Sequence, residues 1–291
     1  MRMLVFGHDG QVAHALRTMA APDLTVTALG RAGADITDAD AVRRAVEAAR
    51  PDVAVNTAAY TAVDRAETEA EQAFAVNRDG AGHIAAACAA AGVPLIHYST
   101  DYVFDGAKDG PWREDDPIAP LGVYGASKAA GEAAVRAAGP RHVILRTAWV
   151  FGAHGNNFVR TMLRLGAERE RLGIVADQRG CPTAAADLAS AAVAVARHVL
   201  ATGEGWGTYH CCGAPPTTWH GFAEAIFEER RRATGLAPPR LDAIATADYP
   251  TPARRPANSV LDTARFAARF GLPAPAWRDA LGGVVRQLLA A

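Results

Sequence analysis

Two residues four positions apart, Tyr124 and Lys128, carry the most informative chemistry of the sequence. On a helix, side chains at this spacing lie on one face, so the phenol and the ammonium would point the same way. A nearby ammonium favours the phenolate and lowers the pKa of the phenol from its usual value of about 10. A phenol adjusted in this way can give a proton to a carbonyl oxygen near neutral pH. The pair predicts a carbonyl reduction in which Tyr124 donates the proton, with a surface helix as the alternative interpretation.

A hydroxyl and a carboxyl, Thr100 and Asp101, follow a short apolar segment that reads as a buried strand. Ligands of open parallel sheets bind at the carboxyl ends of the strands. A threonine at that position can hydrogen-bond both a substrate carbonyl and the phenol of Tyr124. The alternative is a helix or turn cap, which Thr and Asp also favour.

A glycine-containing turn, Gly7 to Val12, comes directly after the first apolar segment and opens a helical pattern. Gly7 and Gly10 would let the backbone approach a pyrophosphate, and Gln11 and Val12 would begin the helix whose free N–H groups attract an anion. The motif predicts a dinucleotide site, and a plain tight turn is the alternative.

The end of the second predicted strand bears on the choice of cofactor. No acid stands there to bind the ribose hydroxyls, whereas Arg31 offers a guanidinium that suits a 2′-phosphate. NADPH is therefore favoured and NADH stays open, with a solvated loop arginine as the alternative role for Arg31. Asp35 and Ile36 would flank the adenine. Small residues at 56–60 would let the cofactor pass the third strand.

Alternating strands and helices must position these groups. Strands are predicted over 3–6, 24–29, 52–56, 93–99 and 142–146, and helices over 11–20, 39–49, 69–91 and 124–138. Continuous apolar strands between helices are typical of a parallel sheet that is covered on both faces. The fold prediction is thus α/β, a Rossmann-type doubly wound sheet over residues 1–150. Residues 151–291 are predicted to form a smaller substrate-binding region, some segments of which return to the first domain.

Composition excludes several partners. The 291 residues carry 30 basic and 31 acidic side chains, and this balance argues against a nucleic acid or an anionic membrane as partner. The four cysteines form no C-x-x-C pair and indicate reduced thiols in a cytoplasmic protein. The most apolar stretch, 188–200, is interrupted by charge and is interpreted as a buried helix. No targeting segment is expected.

Seven stretches together carry a family resemblance. They are FGHDGQV at 6–12, RPDVAVNTAAYTAVDRAE at 50–67, IHYSTDYVFDG at 96–106, PLGVYGASKAAGE at 120–132, RTAWVFGAHGNNF at 146–158, DQRGCPT at 177–183 and YPTPARRPANSVLD at 249–262. On these motifs the chain resembles the extended short-chain dehydrogenase/reductases, and among them the dTDP-4-dehydrorhamnose reductases. The last three stretches lie outside the dinucleotide motif and favour this subfamily.

The resemblance assigns roles to individual residues. It implies that Gly10, Gln11 and Val12 contact the pyrophosphate, that Asp35 and Ile36 contact the adenosine, and that Ala59, Tyr60 and Thr61 contact the cofactor further along. It implies Tyr124 as proton donor, Lys128 as its partner, and Thr100, Asp101 and Trp149 as contacts of the sugar. A separate hypothesis is that Arg254, or its neighbour Arg255, binds the substrate diphosphate.

The implied reaction is the NADPH-dependent reduction of the C4 ketone of dTDP-4-dehydro-L-rhamnose to dTDP-L-rhamnose. A reductase of another nucleotide sugar would use the same residues and stays open. A partner protein like the regulatory subunit of methionine adenosyltransferase is the other alternative, and the intact Tyr124, Lys128 and Thr100 argue against it. Ala15 stands where some members carry a glutamate that serves a Mg²⁺-bridged dimer, so Mg²⁺ and a homodimer stay open. No metal ligands are assigned.

Overall fold

The computed structural model describes residues 1–19 and 21–290. Its strands are Arg2–Phe6 (β1), Thr25–Leu29 (β2), Val53–Asn56 (β3), Leu95–Thr100 (β4), His142–Thr147 (β5), Val150–Phe151 (β6), Arg171–Val175 (β7), Arg179–Gly180 (β8), Thr183–Ala184 (β9), Gly207–His210 (β10), Thr217–Thr218 (β11) and Arg240–Ile244 (β12). Its α-helices are Gln11–Thr18 (α1), Ala39–Ala49 (α2), Val63–Ala66 (α3), Ala70–Phe74 (α4), Ala81–Ala90 (α5), Val123–Ala138 (α6), Phe158–Glu168 (α7), Ala185–Thr202 (α8), Trp219–Thr234 (α9), Ala264–Phe270 (α10) and Trp277–Ala290 (α11).

A six-stranded sheet in the order β10-β5-β4-β3-β1-β2 forms the centre of the molecule. All of its neighbouring strands pair in parallel. The strand order reverses between β1 and β3, and the carboxyl ends of strands beside such a switch point form a crevice that takes ligands. The α/β doubly wound prediction is confirmed.

Apolar side chains on alternate strand positions bury the two faces of the sheet under different helices. Met3 and Val5 of β1 face a core that α1, α8 and Phe266 of α10 complete. Leu4 and Phe6 of the same strand face the opposite core, which α2, α5 and α6 cover. Within the described residues, α8 is the one helix that is long and apolar enough to cross a membrane, yet it packs on α1 and half of it is buried, as a core helix would be.

The later part of the chain both joins this sheet and builds a second core. β10 extends the sheet beyond β5, and α8 covers one face. Helices α7, α9 and α11 pack around Phe222, Phe227 and Trp277, beside the parallel pair of β7 and β12. This second core lies after β5 in the chain and brings new side chains toward the carboxyl edge of the sheet.

One predicted helix, over 69–91, is divided in the structure into α4, a π-helical segment at Ala75–Gly80, and α5. Asn77 in that segment bonds the main chain of Tyr60 on one side and the hydroxyl of Ser127 in α6 on the other. A Cβ at Gly131 of α6 would lie 2.0 Å from the Asn77 carbonyl oxygen, so only glycine allows this approach. The predicted end of the first helix, Ala20, lies outside the described residues.

Candidate active site

A cavity of about 350 Å³, here called the reaction cavity, opens at the carboxyl ends of the central strands. Tyr124 and Lys128 both line it, one turn apart on α6. Ser99 of β4 and Thr147 of β5 form further parts of the wall, and Gly10, Gln11 and Val12 form the side next to α1. The predicted tyrosine, lysine and glycine turn are therefore brought together around one space.

Lys128 is held by the main chain of β4 rather than by Tyr124. Its Nζ donates to the carbonyl oxygen of Tyr98 at 2.6 Å, and only 3% of the residue is exposed. Burial lowers the pKa of Lys128 to about 8, and the charge of Glu132 acts in the opposite direction. The Tyr98 carbonyl oxygen thus orients the ammonium of Lys128, which also lines the reaction cavity.

The predicted lowering of the Tyr124 pKa by Lys128 is not found in this structure. Burial of the phenol, together with the charge of Asp101, raises its pKa to about 12. Hydrogen bonding to Thr100 is the influence that lowers it. The physical reason is that removing a phenolate from water costs free energy, and Lys128, which donates to the Tyr98 carbonyl oxygen, does not offset that cost.

Thr100 and Asp101 lie together at the end of β4. The Thr100 hydroxyl donates to Oδ1 of Asp101 at 2.9 Å and accepts from the N–H of Tyr102. Asp101 is only 2% exposed, and its Oδ2 has no partner among the described residues. Burial raises the pKa of this carboxyl to about 6, against the hydrogen bonds from Thr100 and Ser259. A buried carboxylate oxygen without a partner can accept a hydrogen bond from a hydroxyl of a ligand.

A second cavity of about 210 Å³, the β2 cavity, adjoins the first and shares Gly10 and Ala59 with it. Gly7, Arg31, Asp35 and Ile36 line it, so the residues predicted for the adenosine end lie around one space. Gly7 has φ +112°, and a Cβ there would lie 2.3 Å from the Thr57 hydroxyl.

Gly10, the other glycine of the turn, has open space where a side chain would stand. A Cβ built at Gly10 meets no atom within 4 Å. The turn thus presents bare backbone to the space between the two cavities.

A loop at 152–157 covers the beginning of α1. Nδ2 of Asn157 donates to Oε1 of Gln11 at 3.0 Å, and Nε2 of Gln11 donates to the Val150 carbonyl oxygen at 3.2 Å. Gly155 and Asn156 line the reaction cavity from this side. The loop therefore encloses the glycine turn from above.

The stretch after β3 contributes its residues unequally. Ala59 and Thr61 line the reaction cavity. The Tyr60 phenol lies outside both cavities and donates to Glu69 at 2.5 Å. Tyr60 can thus contribute its backbone, which Asn77 holds, but its ring is engaged elsewhere.

A third cavity, of about 450 Å³, lies between the sheet edge and the second core and is here called the C-terminal cavity. Trp219 lines it and stacks on Trp149, with ring centroids 3.5 Å apart. Trp149 has φ +46°, an uncommon value for a bulky residue, and a Cβ at Gly180 would lie 2.4 Å from its ring. The structure therefore places Trp149 behind Trp219 and not on the lining of the three cavities.

The two adjacent arginines separate in the fold. Arg254 is exposed and lines none of the three cavities, whereas Arg255 is partly buried and lines the C-terminal cavity. Arg255 donates to Oδ2 of Asp64 at 2.8 Å, and its buried Nη1 has no partner among the described residues. Of the pair, Arg255 is the residue placed to meet an anion.

Among residues 1–19 and 21–290, no group of three or more His, Cys, Asp or Glu side chains could hold a metal ion. His14 and His154 stack at 4.0 Å beside the glycine turn, an arrangement that brings the loop at 152–157 onto α1.

Comparison with known proteins places these features in a family. The family described as "RmlD substrate binding domain" matches residues 1–290. The chain belongs to this family. The resemblance seen in the motifs is confirmed, and it extends over residues 1–290 of the chain.

Relatives in the RmlD family include the dTDP-4-dehydrorhamnose reductase of Burkholderia thailandensis, 48% identical, with 99% of each chain covered. The dTDP-4-dehydrorhamnose reductase of Sinorhizobium fredii is 45% identical, and the alignment covers 99% of this chain and 98% of that reductase. Among solved structures, a dTDP-4-dehydrorhamnose reductase from Clostridium acetobutylicum superposes with a TM-score of 0.91 at 34% identity, covering 99% of this chain and all of that one. The Bacillus anthracis enzyme in complex with NADP has a TM-score of 0.90 at 33% identity, covering 98% and 99%.

Several cavity residues of this RmlD family member were not predicted from the sequence. Ser99 and Thr147 needed the sheet register, and Asp64 and Trp219 needed the packing of the later region. His8 lines the β2 cavity and could have been found, because it lies inside the glycine turn.

Proposed function

We propose that this protein reduces the C4 ketone of dTDP-4-dehydro-L-rhamnose to dTDP-L-rhamnose with NADPH. The observation that carries the proposal is the meeting of Tyr124 and Lys128 with the open glycine turn around one cavity. The names of the relatives support this substrate, because their alignments with this protein cover nearly the whole of both chains.

The residues present fit a nicotinamide dinucleotide. Gly7 and Gly10 leave the backbone bare where a pyrophosphate needs close approach, and the N-terminus of α1 faces the same space. The β2 cavity next to it, with Ile36 in its wall, suits an adenosine, and Lys128 suits the ribose hydroxyls at the other end. When bound there, the cofactor supplies the hydride for the carbonyl carbon.

Proton transfer is the part that the chain performs itself. Tyr124 is protonated at neutral pH because its pKa is about 12, so its Oη can give the proton to the ketone oxygen as the carbon is reduced. Thr100 lies beside it and stabilises the phenolate that remains.

NADPH is proposed over NADH because of the charge at the end of β2. Arg31 lines the β2 cavity and is 74% exposed, with its Nε 3.6 Å from Asp35. A guanidinium that is free to turn can pair with the oxygens of a 2′-phosphate. The NADP complex of the Bacillus anthracis relative supports the same preference.

The C-terminal cavity is proposed to hold the nucleotide part of the substrate. Arg169, Arg171 and Arg255 line it together with Asp64. Because Arg171 pairs with Asp242 and Arg255 with Asp64, the positive groups left for a diphosphate within the described residues are Arg169 and the unpartnered Nη1 of Arg255. Asp101, with its free Oδ2, is proposed to bind a sugar hydroxyl. We propose a cytoplasmic enzyme, since NADPH and nucleotide sugars are found there.

The test follows NADPH absorbance when the purified protein is added to dTDP-glucose that was treated with a 4,6-dehydratase and a 3,5-epimerase. Turnover that requires the epimerase and yields dTDP-L-rhamnose supports the proposal. Turnover without the epimerase would point to another 4-keto sugar. Absence of turnover, with NADPH still bound, would refute the proposed substrate.

A further inference from the structure

A third side chain lies on the same face of α6 as Tyr124 and Lys128. Glu132 follows Lys128 by four residues, and its side chain is fully buried. Residues at this spacing are neighbours along a helix face, so the three groups form one row. The motifs assign no role to Glu132.

The Glu132 carboxylate joins three of the elements that line the reaction cavity, α6, β4 and β5. It accepts from the hydroxyl of Ser99 in β4 at 2.6 Å and from Nε and Nη2 of Arg146 in β5, both at 2.8 Å. Arg136 of α6 adds a bond at 2.7 Å from the more exposed side.

The partners of Glu132 lie next to residues of the site along the chain. Ser99 lines the reaction cavity and precedes Thr100, whereas Arg146 precedes Thr147, which also lines it. Because bidentate arginine–carboxylate pairs fix both partners in a plane, the carboxylate sets the position of α6 against β4 and β5.

We propose that Glu132 is a positioning residue for the reduction, which fixes α6 against the strand ends and serves as the counter-charge that keeps Lys128 protonated. The part that concerns catalysis rests on the proposed function, whereas the protonation of Lys128 can be measured without it.

The charges around Lys128 explain why a counter-charge is needed. Lys128 is near Glu132 on its own helix, and near His97 and the Tyr98 carbonyl oxygen of β4. Arg146 of β5 lies beyond Glu132 and is paired with it. Burial lowers the pKa of His97 well below 6.5, so this imidazole adds no charge near neutral pH.

Glu132 itself stays ionised across the working range. Although burial alone would raise its pKa, the ion pair with Arg146 and the bond from Ser99 hold it at about 2. Glu132 is the charge that raises the pKa of Lys128, against the lowering by burial. Loss of that charge should therefore let Lys128 release its proton near or below neutral pH.

The composition allows a direct measurement, because the chain contains only two lysines, Lys108 and Lys128. Protein labelled with ¹³C-lysine should give two Cε resonances, which a Lys108→Arg variant assigns. The resonance of Lys128 is followed from pH 5 to pH 11 in the wild type and in the variants, with and without NADP⁺. Lys108, paired with Asp116, serves as the internal control.

The expected result is a shift of the Lys128 midpoint in Glu132→Gln by at least about one pH unit toward lower pH. About one pH unit above the new midpoint only about a tenth of Lys128 carries its proton, so the affinity of the variant for NADP⁺ should there be about tenfold lower than at pH 6. A purely structural defect would not recover at pH 6. Glu229→Gln is the matched control, since Glu229 pairs with Arg232 on α9, away from the reaction cavity, and its loss should change neither quantity.

The single variant leaves Arg146 buried without its partner and can fail to fold. The double variant Glu132→Gln/Arg146→Met removes both charges and should shift the midpoint in the same direction by a smaller amount, because the repulsion from the Arg146 guanidinium is lost together with the attraction of Glu132. An unchanged Lys128 midpoint in a folded variant would overturn the proposal. So would a wild-type midpoint at the ordinary lysine value, because Lys128 would then need no counter-charge. Failure of the wild type to bind NADP⁺ would instead refute the proposed function.

Discussion

Nζ of Lys128 donates a hydrogen bond of 2.6 Å to the main-chain oxygen of Tyr98, which lies 30 residues earlier in the chain. This bond ties α6 to β4 and leaves Tyr124 without a direct partner on its own helix. The acidity of the phenol is then controlled by burial, by Thr100 and by Asp101. The predictions below test the separate parts of this arrangement.

Tyr124→Phe should lower kcat by about 10²- to 10⁴-fold, because the variant lacks the proton donor. The affinity for NADPH, measured by fluorescence titration, should stay close to that of the wild type. Tyr60→Phe is the matched control, since its phenol bonds Glu69 outside the cavity. Equal turnover in the two variants would refute the role of Tyr124.

Arg31→Ala should weaken NADPH binding by about ten- to a hundredfold, the usual effect of losing a hydrogen bond to a charged group. NADH binding should change little, because it has no 2′-phosphate. Arg43→Ala, which removes an exposed arginine paired within α2, is the control. An equal loss of affinity for NADPH and NADH would show that Arg31 does not bind the 2′-phosphate.

Arg255→Ala should raise the KM for the nucleotide sugar about tenfold or more, with kcat less affected, because it removes a guanidinium from the C-terminal cavity. Arg254→Ala should leave the KM unchanged, because this side chain is exposed and lies outside the cavity. The reverse order of effects would favour the exposed arginine as the diphosphate ligand.

Asp101→Asn should stabilise the protein at pH 8 and lower its activity. The pKa of Asp101 rises from 3.8 to about 6 on folding, so above pH 6 the folded state holds a costly buried charge. Its removal should add up to about 3 kcal/mol to the free energy of unfolding. As the pH falls from 6 to 4 the carboxyl is protonated in the folded state and increasingly in the unfolded state, so most of the gain should disappear at pH 4.

Urea unfolding of wild type and Asp101→Asn at pH 8 and pH 4 provides the measurement. An equal difference in stability at both pH values would show that burial of the charge is not the cause. A lower kcat/KM in the stabilised variant would show that the carboxyl is kept for its contact with the substrate.

Much of the fold could be predicted because it depends on local patterns. The strand at Val53–Asn56 and the helix at Ala39–Ala49 follow from apolar runs and helical periodicity, and the observed bounds are within one residue of those predicted. The glycine turn and the spacing of Tyr124 and Lys128 are likewise local, since both depend on residues that are neighbours along the chain.

The rest depends on contacts between segments that are distant in sequence. Only the tertiary structure adds β10 to the sheet, stacks Trp149 on Trp219, and places Arg255 rather than Arg254 at a cavity. It also decides that burial raises the pKa of Tyr124. The spacing of Tyr124 and Lys128 along the helix had instead predicted a lowered pKa. The sequence by itself determined which groups can do the chemistry, because residue type and periodicity are local. Packing alone decided their solvation and their partners, because both depend on what the folded chain brings against them.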